Sequence, residues 1–91
     1  MANLTMTHDE IRSALALKYG MGQTTCESLR SQAWQALTEK RDVDRCEFLM
    51  CVMACVYHYL DGIRAAAETL GITEAELAEA ARTAKSEGRL I

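Results

Sequence analysis

The chain has 91 residues, of which 49% are hydrophobic and 25% are charged, and this size and composition are typical of one small globular domain with a single core. Its formal net charge of −3 provides no large positive field for nonspecific binding to nucleic acid phosphates or to an anionic membrane. Residues 1–6 lack the basic and apolar segments of a secretion signal, and no apolar stretch approaches the roughly 20 residues that span a bilayer. We therefore expect a cytoplasmic protein that does not bind a membrane.

Local signals divide the chain into helices. Proline is absent, and Ala, Leu, Glu and Arg, which have high helix propensity, are abundant, so a chain that is helical nearly throughout is expected. Capping boxes, in which a Thr is followed three residues later by a Glu, predict helix starts at Thr7, Thr24 and Thr73. Glycine supplies the expected helix ends, at Gly20 with Gly22, at Gly62 and at Gly71.

The fold class predicted from these signals is all-α. Helices are expected over about 8–19, 25–38, 43–60, 63–70 and 74–86. They would form a compact bundle of four to five helices in a single domain that spans 1–91, with frayed ends at 1–6 and 87–91.

The third predicted helix is apolar on every side over 48–56, which reads FLMCVMACV. One of its stripes contains Cys46, Leu49, Met53, Val56 and Leu60, and a second contains Phe48, Val52, Cys55 and Tyr59. Such a helix must be covered all round, and few neighbours are available in so short a chain. We therefore predict a homodimer or a complex with another protein, with an interface formed by Leu49, Met50, Met53, Val56, Tyr57 and Leu60.

Three of the four cysteines, Cys46, Cys51 and Cys55, fall in this apolar helix. Neighbours on one helix are poorly placed for disulfide bonds, so reduced and buried thiols are expected. A zinc site formed by Cys26, Cys51, Cys55 and His58 is an alternative, but the spacing matches no common zinc motif. No nucleophile with a base and an orienting group is signalled around either histidine. We predict no catalytic residues, no metal and no cofactor.

Residues 63–77 read IRAAAETLGITEAEL, with paired alanines, a Leu-Gly-Ile turn, a Thr cap and a Leu five residues after the Ile. This pattern resembles the helix-turn-helix of Fis-type DNA-binding domains, and the resemblance extends over about 52–84. It implies a C-terminal half that is helix-turn-helix-like, with a tight turn at Gly71 and a second helix that reads the major groove. The DNA-binding residues that it implies are Arg64, Thr73, Glu76, Arg82 and Lys85.

The charge of this second helix departs from the family pattern. A helix that reads the major groove normally presents Arg, Lys, Ser, Thr or Asn, whereas this one presents Glu74, Glu76 and Glu79. Carboxylates near phosphates are repelled and release no counterions, so nucleic acid binding is disfavoured. The three glutamates are predicted to form an acidic face that binds a partner protein, unless they form an ordinary solvated helix face.

Two functional hypotheses follow from these observations. The first is a small non-catalytic regulatory protein that binds another protein, as an inhibitor of a nucleic-acid-binding protein. Anti-activators of transcription regulators and phage-encoded inhibitors of defence systems are similar in size and helical make-up, although this likeness is an analogy without a shared motif. The alternative is a dimeric helix-turn-helix transcriptional regulator that binds DNA.

Overall fold

A computed structural model describes residues 5–89 and contains three helices: α1 (His8–Thr38), α2 (Val43–Thr69) and α3 (Glu74–Ser86). No strand occurs within 5–89, so the all-α fold class is confirmed, but the prediction of four to five helices is wrong. The molecule measures 57 × 28 × 25 Å. Its radius of gyration is 16.2 Å, where a compact domain of this length would have about 12 Å. The shape is an elongated α1–α2 hairpin to which α3 is added. The predicted fraying falls partly on 1–4 and 90–91, which lie outside the described residues.

Helix α1 is continuous through the predicted break. It begins at the predicted capping box, where the Glu10 backbone N–H donates to Thr7 Oγ1 over 3.1 Å. The helix continues through 20–24, so the end predicted at Gly20 and Gly22 and the start predicted at Thr24 are wrong. Thr24 does not cap a helix, and its Oγ1 donates to the Gly20 carbonyl within α1 over 3.0 Å. Gly22 serves close packing instead, since a Cβ atom there would lie 2.5 Å from Leu60 Cδ2.

Helix α2 is likewise continuous through Gly62, where a break was predicted. The backbone there is held by packing, because Leu60 and Ile63 on either side of the glycine are both buried against α1. The predicted end at Gly71 is confirmed. Gly71 has a φ of 76°, and its N–H donates to the Glu68 carbonyl over 3.0 Å while the Ile72 N–H donates to the Ala67 carbonyl over 2.8 Å. This pair of hydrogen bonds is the Schellman motif that glycine favours.

A single seam joins α1 and α2, which are antiparallel because the connection over 39–42 is short. Apolar and small side chains recur on each helix at alternating spacings of three and four residues, as in a two-stranded coiled coil. On α1 they are Tyr19, Gly22, Cys26, Leu29, Ala33 and Ala36. On α2 they are Cys46, Leu49, Met53, Val56, Leu60, Ile63 and Ala67. The first α2 stripe predicted from the sequence is therefore the intramolecular one.

Helix α3 begins at the predicted capping box, in which the Glu76 N–H donates to Thr73 Oγ1 over 3.1 Å. It packs mainly on α1 and hardly at all on α2. Ile72 and Leu77 are completely buried in the main core cluster, and Ala81 and Ala84 pack with Leu17. Small side chains on α3 allow it to approach α1 closely. The third layer of the fold therefore covers the N-terminal half of α1.

Candidate protein-interaction surface

One stripe of α1 is covered along half of its length and open along the other half. The half near α3 contains the buried Ala16 and Gly20, followed by Gln23 and Thr24, which are exposed but line a cleft between α1 and α3. The open half contains Arg30, Ser31, Trp34 and Leu37. Because these positions are spaced by three and four residues, they lie on one side of the helix. Glu27 marks the boundary, since it lines both the cleft beneath α3 and the groove beyond it. Helix α3 thus lies against this side of α1 only as far as Glu27.

The open half of this stripe joins α2 residues to form what we call the tip face. It is defined by five large side chains with the exposed fractions Trp34 67%, Leu37 42%, Val43 62%, Met50 49% and Tyr57 40%. A groove of about 560 Å³ lies within it, lined by Ala33, Trp34, Leu37, Cys46 and Met50 with Glu27, Arg30 and Ser31 at its rim. Arg30 Nη2 donates to the Tyr57 hydroxyl over 2.7 Å, which connects the two helices across this side of the hairpin.

A second apolar surface, which we call the outer stripe, follows α2 on the other side of the seam. It consists of Phe48, Val52, Cys55 and Tyr59, at spacings of four, three and four residues. Phe48 and Tyr59 are each 49% exposed, Cys55 is exposed and Val52 is half-buried. The guanidinium of Arg45 lies 5.5 Å from the centroid of the Phe48 ring, a cation–π contact that orients this side chain. α2 thus presents apolar side chains on both flanks of its buried stripe.

The six residues predicted as an interface are divided by the structure. Leu49, Met53 and Leu60 are buried in the seam with α1, and Val56 is half-buried beside them, so these four are occupied within the chain. Met50 and Tyr57 are exposed and belong to the tip face. Trp34 and Leu37, which form the α1 side of that face, were not among the predicted interface residues.

The predicted acidic face is largely paired within the protein. Glu74 Oε1 accepts a hydrogen bond from the Tyr19 hydroxyl over 3.1 Å and lies 3.3 Å from Arg64 Nε. Glu76 caps α3 and lies 3.8 Å from Arg12 Nη1, and Glu79 forms an ion pair with Arg82. These contacts neutralise much of the negative charge, which makes the glutamates poor candidates for a free acidic docking surface.

The side chains implied in DNA binding also have partners within the chain. Arg64 forms ion pairs with Asp61 and Glu74, and its guanidinium lies 5.6 Å from the Tyr19 ring centroid. The Tyr19 side chain, with the carboxylates, raises the pKa of Arg64 above its ordinary value. Thr73 and Glu76 cap α3, Arg82 pairs with Glu79, and Lys85 lines the cleft between α1 and α3. No basic patch is formed by these residues.

The cysteines are placed differently from one another. All four are free, and Cys26 is buried in the seam, whereas Cys51 and Cys55 are exposed on α2. The prediction of buried thiols is therefore confirmed for Cys26 and wrong for Cys51 and Cys55, while Cys46 is half-buried. The candidate zinc ligands are not brought together, and within the part of the chain that the structure describes no three His, Cys, Asp or Glu side chains are grouped to hold a metal ion.

Helix α2 is long and apolar enough to cross a membrane if only length and composition are considered, which the sequence analysis did not anticipate. An 18-residue window within it has a mean hydropathy of 1.3, and 22% of that window is buried. However, α1 runs beside α2 and exposes polar side chains such as Gln32 and Gln35. Placing the hairpin in lipid would desolvate these amides, which is costly.

No protein-family model matches the chain, and no curated protein or solved structure shows a match to it. The helix-turn-helix resemblance of 52–84 is accordingly neither supported nor contradicted by a relative. Function is inferred from the two exposed apolar surfaces and from the charges around them.

Proposed function

We propose that the protein is a small non-catalytic regulatory module that binds another protein through the outer stripe of α2. The observation that supports this proposal is the exposure of Phe48 and Tyr59, each 49% exposed, on a helix held rigid by its seam with α1. Together with Val52 and Cys55, which lie between them, they form four apolar anchors at positions i, i+4, i+7 and i+11 of the helix. A helix that presents such anchors fits the apolar groove of a partner protein.

The surroundings of the outer stripe suit a protein interface. Aromatic side chains are common among the residues that contribute most to binding, and they are most effective at the centre of a patch with a polar rim. Arg45 and Glu47 lie beside Phe48 in the sequence, and His58 and Asp61 lie beside Tyr59. The rim thus carries both signs of charge, which favours orientation of a partner over nonspecific attraction.

The regulated partner that we propose is a nucleic-acid-binding protein, which the module would inhibit by occupying one of its surfaces. The net charge of −3 favours encounter with a basic protein and disfavours encounter with nucleic acid itself. DNA reading by α3 has no comparable support, because Arg64 and Arg82 are paired with carboxylates and the helix exposes both signs of charge.

The test is affinity capture of native protein partners by the full chain, with and without nuclease, followed by mass spectrometry. We expect a stoichiometric protein that resists nuclease and is lost when Phe48→Glu and Tyr59→Glu are combined. The matched control combines Ala54→Glu and Ala65→Glu, which adds the same two charges at exposed positions of α2 outside both apolar surfaces. Circular dichroism would establish that each variant is folded.

Two results would overturn the proposal. If the captured protein bound the double variant as well as the control, the outer stripe would not be the binding surface. If only DNA were recovered and nuclease released it, the module would be a DNA-binding protein, as the helix-turn-helix resemblance implies. A purified partner would then allow inhibition to be measured as loss of its nucleic acid binding in the presence of the module.

A further inference from the structure

We infer that the tip face binds a second copy of this chain, so that two α1–α2 hairpins pack face to face around a two-fold axis. This inference goes beyond the proposed function, because the outer stripe used for the partner lies on the other side of the α2 seam. The resulting core is a four-helix bundle, in which each hairpin covers the side that the other leaves open.

The continuity of the α1 stripe carries the first step. Ala16 and Gly20 on this side of α1 are buried, and Gln23 and Thr24 line a cleft against α3. From Arg30 to Leu37 the same side continues without a cover from the described residues. A helix pair buries one stripe of each member, and a third element is needed to bury a second stripe. A second hairpin would cover the tip half of α1, as α3 covers the other half.

The size of the tip face is the second step. Taking about 200 Å² for a fully exposed large side chain, the five exposed fractions amount to roughly 500 Å² of mainly apolar surface. A stable interface buries about 800 Å² on each partner. Arg30, Ser31 and the half-buried Cys46 extend the face around the groove. The five side chains therefore supply more than half of the area that each partner of a stable dimer buries. Their apolar patch lies in the upper part of the range for a monomer.

The shape and charge of the face favour a second copy over a partner of different chemistry. Trp34 stands at the mouth of an apolar groove of about 560 Å³, so each copy offers both an aromatic side chain and a groove that can accept one. Residues 27–57 contain five acidic and four basic side chains, so the surroundings carry almost no net charge. A surface of balanced charge can meet its own copy without like-charge repulsion.

The polar groups at the rim are already prepared for burial. Arg30 and Tyr57 hydrogen bond to each other over 2.7 Å, so a partner that covers them would not leave the hydroxyl oxygen without a donor. This bond lowers the desolvation cost of the Tyr57 hydroxyl, whereas the other N–H donors of Arg30 have to stay in water at the edge of the interface.

The only tryptophan of the chain lies in the inferred interface and therefore reports on it. The experiment combines analytical ultracentrifugation of the full chain over a dilution series with tryptophan emission and acrylamide quenching on the same samples. We expect twice the mass of one chain at high concentration, together with blue-shifted and quencher-protected emission, and a return to exposed emission as the dimer dissociates. A monomer at every concentration would overturn the inference, and so would a dimer in which Trp34 stays open to quencher.

Variants locate the interface independently of the fluorescence. Leu37→Glu and Met50→Glu should each weaken the dimer at least tenfold, because a charge would be buried in the interface without a partner. Phe48→Glu is the matched control, since it places the same charge on the outer stripe and should leave the mass unchanged.

A dimer that withstands both tip-face variants, or that is lost with Phe48→Glu, would overturn the inference. If a tip-face variant failed to fold, the quenching of the wild-type protein would still decide the question. Failure of the wild-type chain to capture any protein, with the dimer intact, would count against the proposed function alone.

Discussion

The two halves of the α1–α2 hairpin share one seam but differ in what covers them. Near α3 the core is complete, and Tyr19, Ile72 and Leu77 have exposed fractions of 2%, 1% and 0%. Toward the tip the seam is still formed, with Leu49 at 5%, yet Trp34 beside it is 67% exposed. A coiled-coil seam buries one stripe on each helix, so the burial of a second stripe requires a third element. In this chain α3 is long enough to supply that element for one half only.

The largest expected effect is the loss of unfolding free energy when a buried leucine is shortened, which we compare between the half under α3 and the tip. Leu77→Ala should cost about 4 kcal/mol, because a side chain enclosed by all three helices leaves a cavity that cannot collapse easily. Leu49→Ala should cost about 2 kcal/mol, since water can reach a cavity at the half-covered tip. Both values come from urea unfolding at a concentration where the chain is monomeric. Equal losses would show that the tip is covered as well as the other half.

A second prediction concerns the closest approach within the seam. Gly22→Ala should destabilise the protein by about 2 kcal/mol, because the new Cβ would overpack the helix contact. It would lie 2.5 Å from Leu60 Cδ2, and Leu60 is only 2% exposed and has little room to move. Thermal unfolding followed by circular dichroism measures the change. An unchanged midpoint would mean that α2 can shift away from α1 at this point.

A third prediction compares the polar contacts of the two halves. Tyr19→Phe should cost about 1.5 kcal/mol, because it removes a hydrogen bond from a buried hydroxyl to the charged acceptor Glu74. Tyr57→Phe removes the bond from Arg30 at the exposed rim of the tip, where substitutions usually change stability by less than about 0.5 kcal/mol. Chemical denaturation of the two variants under the same monomeric conditions gives both values. A larger loss for Tyr57→Phe would reverse the assignment of the more rigid half.

The features that could be predicted from the sequence are those that depend on local signals. The starts at Thr7 and Thr73 and the turn at Gly71 follow from side chains within a few residues of one another, and all three are confirmed. The continuity of α1 through Gly20 and Gly22 depends on contacts with distant residues, which no local signal contains.

The same limit explains why the tip face was missed. With a helix break assumed at Gly22, the side of α1 that carries Ala16 could not be followed to Trp34, so the open half of the stripe was not recognisable. The end of α3 at Ser86 also decides where that cover stops. The apolar character of α2 was predictable, but which of its stripes α1 would bury was not, and the predicted interface therefore included the buried Leu49 and Met53.

The smallest expected effect lies where neither α1 nor α3 covers α2. Gly62→Ala should stabilise the protein by roughly 0.5–1 kcal/mol, because alanine has the higher helix propensity and the new Cβ would have no heavy atom within 4 Å. Gly71→Ala is the control, since its Cβ would also meet open space. Its φ of 76° disfavours a side chain, so that variant should lose about 1 kcal/mol. Thermal unfolding of both variants separates the two causes. If Gly62→Ala were destabilising, a contact would have to exist on the outer side of α2, and a partner or a second copy seated there would be the first candidate for it.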